Sequence, residues 1–179
     1  KDYVLSFTNW NLNGNLIIES GGALNAIPQT PQTLGTNFFI KGDQVNNGGV
    51  VSKNPADGAF FGIGANFTFN GTDSKITGTG TTMLGNVTVA ANSKLAVGKS
   101  IYVYSNLTHN GAAFSAGNNT IYFTGVGPSD VSAPSNMAAD PKVPLELSNI
   151  VVAKDASTLP VNVKTDISKV LLMAVQRGV

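Results

Sequence analysis

Few residues in this chain are equipped for chemistry. Tyr102, Tyr104 and Tyr122 occupy the polar phase of two runs, Ser100–Tyr104 and Thr120–Phe123, whose other phase is Ile101, Val103, Ile121 and Phe123. If the apolar phase points inward, the three tyrosines point outward on one side. Each would then offer a sugar ring an apolar face and a hydroxyl. The structural alternative is a tyrosine ladder that only packs across strands. These three are the candidate ligand-binding residues.

Asp43, Asp57 and Asp73 are the candidate metal ligands. Their spacings of 14 and 16 residues approach one rung of a coiled chain. Stacked in register, the carboxylates would repel unless a cation such as Ca²⁺ lay between them. Beside Gly42, Gly58 and Ser74, the same aspartates also serve as ordinary turn formers. Neither an EF-hand loop nor a Gly-Gly-x-Gly-x-Asp repeat accompanies them. No other cofactor is expected.

Catalysis lacks its usual parts, and no catalytic residue is assigned. His109, the single histidine, sits in Leu107-Thr108-His109-Asn110-Gly111 and reads as a solvated turn residue. No Gly-x-Ser-x-Gly elbow offers it a nucleophile. Glu19 and Glu146 are the only glutamates and lie far apart in sequence, whereas glycoside hydrolysis needs two carboxyls at a set separation. Without cysteine there is no disulfide, thiolate metal site or sulfur nucleophile. Thr77-Gly78-Thr79-Gly80-Thr81-Thr82 suggests a flat threonine patch for ordered water, but one run is not an array. Asn66, Asn70, Asn86, Asn106 and Asn118 head Asn-x-Ser/Thr triplets, which matter only in a host that glycosylates them.

The elements that would position these groups are short strands. Between Gly85 and Thr124 the runs Asn86–Val89, Lys94–Val97, Ser100–Tyr104 and Thr120–Phe123 alternate apolar and polar residues and stop at Asn, Gly or Ser. Val87/Val89, Leu95/Val97, Ile101/Val103 and Ile121/Phe123 would share the inner face. Before them come Tyr3–Phe7, Leu16–Glu19, Asn37–Lys41, Gly49–Ser52, Ala59–Ile63 and Asn66–Asn70. After them come Leu145–Ala153, Leu159–Lys164 and Ile167–Val175. A Pro-rich loop excursion is expected at 125–144. Self-similar runs (GNVTVAANSKLAVG beside GKSIYVYSNLTHNG) and a scarcity of tight hairpin turns favour a coil over hairpins. The expected fold is all-β: a right-handed parallel β-helix, or β-solenoid, of about eight or nine rungs. It forms one domain over 1–179. The alternative is an antiparallel β-sandwich.

Composition narrows the function. A formal charge of +1, with only 12% charged residues, leaves no electrostatic footprint for nucleic acid or an anionic membrane. No run approaches the roughly 20 apolar residues of a membrane helix. The chain opens on Lys1 and reads as a processed protein or a piece of a longer one, whose uncapped solenoid ends call for a continuation or a partner subunit.

The run LGNVTVAANSKLAVGKSIYVYSNLTHNGAAFSAGNNTIYFTG resembles a repeat found in large secreted surface proteins of Bacteroidetes. LELSNIVVAKDASTLPVNVKTDISKVLLM is similar to the step that follows it in that family. The resemblance implies a β-solenoid from an adhesin-like cell-surface protein carried by the type IX secretion system. The function expected is a non-catalytic structural or adhesive module, a stalk or a weak multivalent binding surface. Its partners would be cell-surface polysaccharide or other protein subunits. The alternative is a lyase-like, polysaccharide-active β-helix enzyme using calcium on Asp43, Asp57 and Asp73. Such an enzyme would need a basic residue in its cleft, and Arg177 is the only arginine.

Overall fold

A computed structural model describes residues 2–4, 9–26, 36–51, 65–134, 145–155, 159–170 and 172–176. Within them the apolar phase read from the sequence is the buried phase: Val87, Val89, Leu95, Val97, Ile101, Val103, Ile121 and Phe123 are all interior. Their strands are too short to bury this surface in pairs, so the chain winds and each coil covers the next.

Three parallel sheets result. The first holds β1 (Asp2–Val4), β4 (Ala23–Asn25), β7 (Gly49–Val51), β10 (Thr81–Leu84), β13 (Ile101–Val103), β16 (Thr120–Gly125), β19 (Asn149–Lys154) and β22 (Leu172–Val175). The second holds β2 (Asn9–Leu12), β5 (Asn37–Ile40), β8 (Asn66–Phe69), β11 (Asn86–Val89), β14 (Leu107–His109), β17 (Ser129–Ser132) and β20 (Val161–Lys164). The third holds β3 (Leu16–Ile18), β6 (Gln44–Asn46), β9 (Ser74–Thr77), β12 (Lys94–Val97), β15 (Ala113–Ser115), β18 (Leu145–Glu146) and β21 (Ile167–Lys169). Each strand pairs with the third one along the chain, which makes a right-handed parallel β-helix. The antiparallel sandwich is thereby set aside.

The coils correct the expected rhythm. One coil is three strands, and its shortest form is near 20 residues, the separation of Asn66 from Asn86. Others are longer, up to the 32 residues between Asp130 and Asn162. The stretch 85–124 therefore contains six strands, β14 and β15 having escaped the sequence reading. Seven coils and one further strand replace the eight or nine rungs expected. Ile167–Val175 divides between two sheets, as β21 and β22. Of the expected excursion at 125–144, Gly125 closes β16 and Ser129–Ser132 is β17, while 135–144 lies outside the described residues, as does Ala59–Ile63.

Inward side chains stack in columns along the shaft. Phe38, Phe67, Val87, Leu107 and Val131 form one behind the second sheet, in register from coil to coil. The rings of Phe38 and Phe67 lie 4.9 Å apart and nearly parallel, at 11°. Burying each such side chain stabilises the fold by roughly 1.5–3 kcal/mol.

Candidate functional site

The outward face of the second sheet is the most regular surface of the molecule. Asn9, Asn37, Asn66 and Asn86 open successive strands and pair directly with one another. Each side-chain amide donates to the one a coil below: Asn37 Nδ2 to Asn9 Oδ1 at 2.8 Å, Asn66 Nδ2 to Asn37 Oδ1 at 2.6 Å, Asn86 Nδ2 to Asn66 Oδ1 at 2.8 Å. The row then continues through backbone donors. Asn106 N reaches Asn86 Oδ1 at 3.2 Å, and Asp130 N reaches Asn106 Oδ1 at 2.8 Å. Asn162 Nδ2 closes it on Asp130 Oδ1 at 3.0 Å. Asparagine suits this place because its amide is donor and acceptor at once, so one residue type serves every coil.

Two positions along each strand, and on the same face, runs a second row: Phe39, Thr68, Thr88, Thr108, Ser132 and Lys164. From Phe39 to Ser132 its members are half-buried and uncharged. The Thr108 and Ser132 hydroxyls lie 3.5 Å apart. Charge enters only at the last coil, where Lys164 Nζ sits 2.7 Å from Asp130 Oδ2. Hydrogen bonds from Lys164 and then Asn162 hold the Asp130 carboxyl below its usual range. The pair is largely exposed and adds little stability.

On the first sheet, Tyr102 and Tyr122 do face outward, in register, with rings 4.8 Å apart at 21°. Their stacking turns each ring face toward the other, so a sugar would meet mainly edges and hydroxyls. Tyr104 does not join them. The strand ends at Val103, the chain bends, and the tyrosine is buried instead. Its ring fills the space over Gly125, where a Cβ would lie 2.5 Å from it. Gly125 also has φ of +94°, so this position is closed to other residues twice over.

The same corner holds a buried lysine. Lys154 Nζ donates to the Thr124 carbonyl and the Ser129 hydroxyl, both at 2.6 Å, and to the Tyr104 carbonyl at 3.3 Å. It thus ties together the first and second sheets across three coils. Burial pushes its pKa down from 10.5 to about 8, with Asp155 opposing. No carboxylate is bonded to it, so its charge leans on two carbonyl dipoles and the Ser129 hydroxyl, with Asp155 nearby.

The aspartates part company. Asp43 and Asp73 do not share a register, because the coil between them takes 32 residues. Asp43 stacks instead between Asn15 and Lys75: its backbone N–H donates to Asn15 Oδ1, and Lys75 N donates to Asp43 Oδ1, both at 2.8 Å. Asp73 is exposed in the turn two residues before Lys75. Asp57 lies outside the described residues. Among those residues no three His, Cys, Asp or Glu side chains converge.

His109 is not a solvated turn residue. It ends β14 at an inward position above Val89, fully buried, its ring 6.2 Å from that of Phe114. Burial lowers its pKa below 6.5, so the imidazole is neutral at physiological pH. The threonine run is no flat patch either. Thr77 ends β9, Gly78 and Gly80 turn the corner, and Thr82 is interior, accepting from Asn46 Nδ2 at 2.9 Å.

Sequence reasoning missed the amide row and Lys154. The first had a signal: Asn66, Asn86 and Asn106 are each followed by apolar-Thr, at equal intervals of 20 residues. Read as glycosylation triplets, they concealed a coil repeat. Lys154 had none, because its acceptors Thr124, Ser129 and Tyr104 sit one and two coils away. Among the described residues no helix is long and apolar enough to cross a membrane. No family model, curated protein or solved structure matches the chain.

Proposed function

We propose that this chain is a non-catalytic structural and adhesive module of a secreted bacterial cell-surface protein, serving as a stiff stalk with a weak multivalent side face. The observation that carries this reading is the unbroken row Asn9–Asn162 with its neighbouring Thr/Ser row. Together the rows set an amide beside a hydroxyl on three successive coils, at Asn66/Thr68, Asn86/Thr88 and Asn106/Thr108, about 4.8 Å apart. An uncharged polysaccharide lying along the axis would meet the same donors and acceptors on each of those three coils, and contacts too weak singly would add by avidity. Surface location and the type IX route rest on the resemblance of the 85–173 region to Bacteroidetes surface repeats.

The lyase-like reading gains no geometric support. Asp43 is engaged with Lys75, and Asp73 does not share its register. Affinity electrophoresis through gels containing neutral polysaccharides tests the proposal. Retardation by at least one polymer is expected, lost when Thr68, Thr88 and Thr108 are all changed to Asp. A polymer whose viscosity falls on incubation with the protein would overturn the non-catalytic reading. Retardation unchanged in the triple variant would overturn the assignment of the face.

A further inference from the structure

One aromatic ring stands in the polar face of the second sheet. Phe39 occupies the row Asn11, Phe39, Thr68, Thr88, Thr108 and Ser132, paired with Asn11 on one side and Thr68 on the other. Its neighbours in β5, Phe38 and Ile40, are buried in the shaft, whereas Phe39 is half-buried on the outside. Among the described residues its ring pairs with no other ring: Tyr102 stacks on Tyr122 on the first sheet, and Phe38 on Phe67 inside. Phenylalanine neither donates nor accepts a hydrogen bond, so the ring contributes nothing to the polar rows themselves.

The coil that carries Phe39 also carries Asn37, which keeps the amide row unbroken. Four successive coils therefore hold, side by side, Asn37/Phe39, Asn66/Thr68, Asn86/Thr88 and Asn106/Thr108. They span about 14 Å along the axis, at about 4.8 Å per coil. Amide bonds of 2.6 and 2.8 Å hold the coils directly one above another from Asn37 to Asn86, so the track runs straight. No charged residue stands in either row from Asn37 to Thr108. Each row amide commits one N–H to the next coil and leaves its second for a ligand.

We propose that Phe39 is the aromatic anchor of this face, and that the face selects a neutral, ribbon-like polysaccharide whose sugars are joined through equatorial bonds, as in a cellulose-like β-linked glucan. The inference rests on the adhesive reading of the same face and names its ligand class. Three observations select this ligand. The ring fits a sugar with equatorial hydroxyls, which is apolar on its faces and polar around its rim. One face stacks on Phe39 while rim hydroxyls reach the amide and threonine side chains beside it. The straight track fits the linkage. Equatorial bonds run a chain straight, so successive sugars follow successive coils, whereas the axial link of a starch-like α-glucan winds the chain into a helix. Such a helix meets the ring or the hydroxyls but not both in line. The lack of charge fits a neutral polymer, because an acidic one would find no cation in either row before Lys164, which Asp130 already holds.

Affinity electrophoresis with two polymers of one sugar tests this: hydroxyethylcellulose, which is β-linked, and soluble starch, which is α-linked. The protein should bind hydroxyethylcellulose at least about tenfold more tightly than starch, a difference of about 1.4 kcal/mol. Phe39→Leu, which keeps an apolar side chain without the ring, should weaken that binding about threefold to tenfold. Phe39→Tyr, which keeps the ring, should retain it. Circular dichroism and the denaturant midpoint check that both variants fold. Starch binding as tight as hydroxyethylcellulose, and lost when Thr68, Thr88 and Thr108 are all changed to Asp, would overturn the ligand class while leaving the adhesive face standing. Hydroxyethylcellulose binding that Phe39→Leu leaves unchanged would overturn the anchor. Retardation by neither polymer would overturn the inference outright, and the wider set of neutral polysaccharides would then judge the adhesive face by itself.

Discussion

The outer faces of the first and second sheets solve one problem differently. Both must present side chains in register on parallel coils. The second sheet does so with an amide row bonded on every coil, from Asn9 to Asn162. The first does so with one aromatic pair, Tyr102 and Tyr122, and beyond it Val151 and Ala174 take the same position. A side-chain amide donates to one neighbouring coil and accepts from the other, so the row propagates. A ring needs one neighbour and then ends. The difference teaches where the register of this fold is specified: on the second sheet, where a slip by one residue would break every bond of the row and turn the column behind it outward.

That contrast can be broken from the inside first. Phe67→Ala removes the ring stacked on Phe38 behind the amide row and should destabilise the protein by about 3–5 kcal/mol, read from the denaturant midpoint at unchanged m. Asn66→Ala cuts the row at its middle. It loses one donated and one accepted bond, both half-exposed, and should cost about 1–2 kcal/mol in the same assay. Tyr122→Leu keeps most of the covered area on the first sheet but ends the ring stacking. Its cost should be smaller, about 0.5–1.5 kcal/mol; a loss exceeding that of Asn66→Ala would reverse the ranking of the two faces.

Lys154, where the faces meet, sharpens the comparison through pH. Its pKa is about 8 when folded against 10.5 otherwise. The unfolded chain therefore holds more protons between those values, and this residue makes stability rise as pH goes from 8 toward 10.5. In Lys154→Met, a change close in volume without the charge, that contribution should vanish. A wild-type profile that instead falls through this window, and falls equally in Lys154→Met, would remove the lysine from the account.

Much of the fold was legible because alternation alone separates inside from outside. Val87, Val89, Ile101 and Ile121 needed no further information to be placed. Coil length was not legible, because Leu107–His109 and Ala113–Ser115 are only three residues each and their neighbours look like turns. Missing them shortened the apparent repeat and put Asp43 and Asp73 into a false register. Tyr104 and His109 failed for opposite reasons. The alternation that placed Tyr102 correctly stops at Val103, one residue too soon for Tyr104, whereas for His109 it continues through a segment that had been read as turn. Among the site residues only Tyr102 and Tyr122 came from local pattern; the amide row and Lys154 depend on which coils are adjacent.

Parallel, in-register stacking of the second sheet underlies all of these statements. Nuclear Overhauser contacts in the labelled protein test it most directly. The account requires contacts between the side-chain amides of Asn37, Asn66 and Asn86 in order, with no close Hα–Hα pairs between the strands that carry them. Strong Hα–Hα contacts between neighbouring strands, as antiparallel hairpins give, would contradict it.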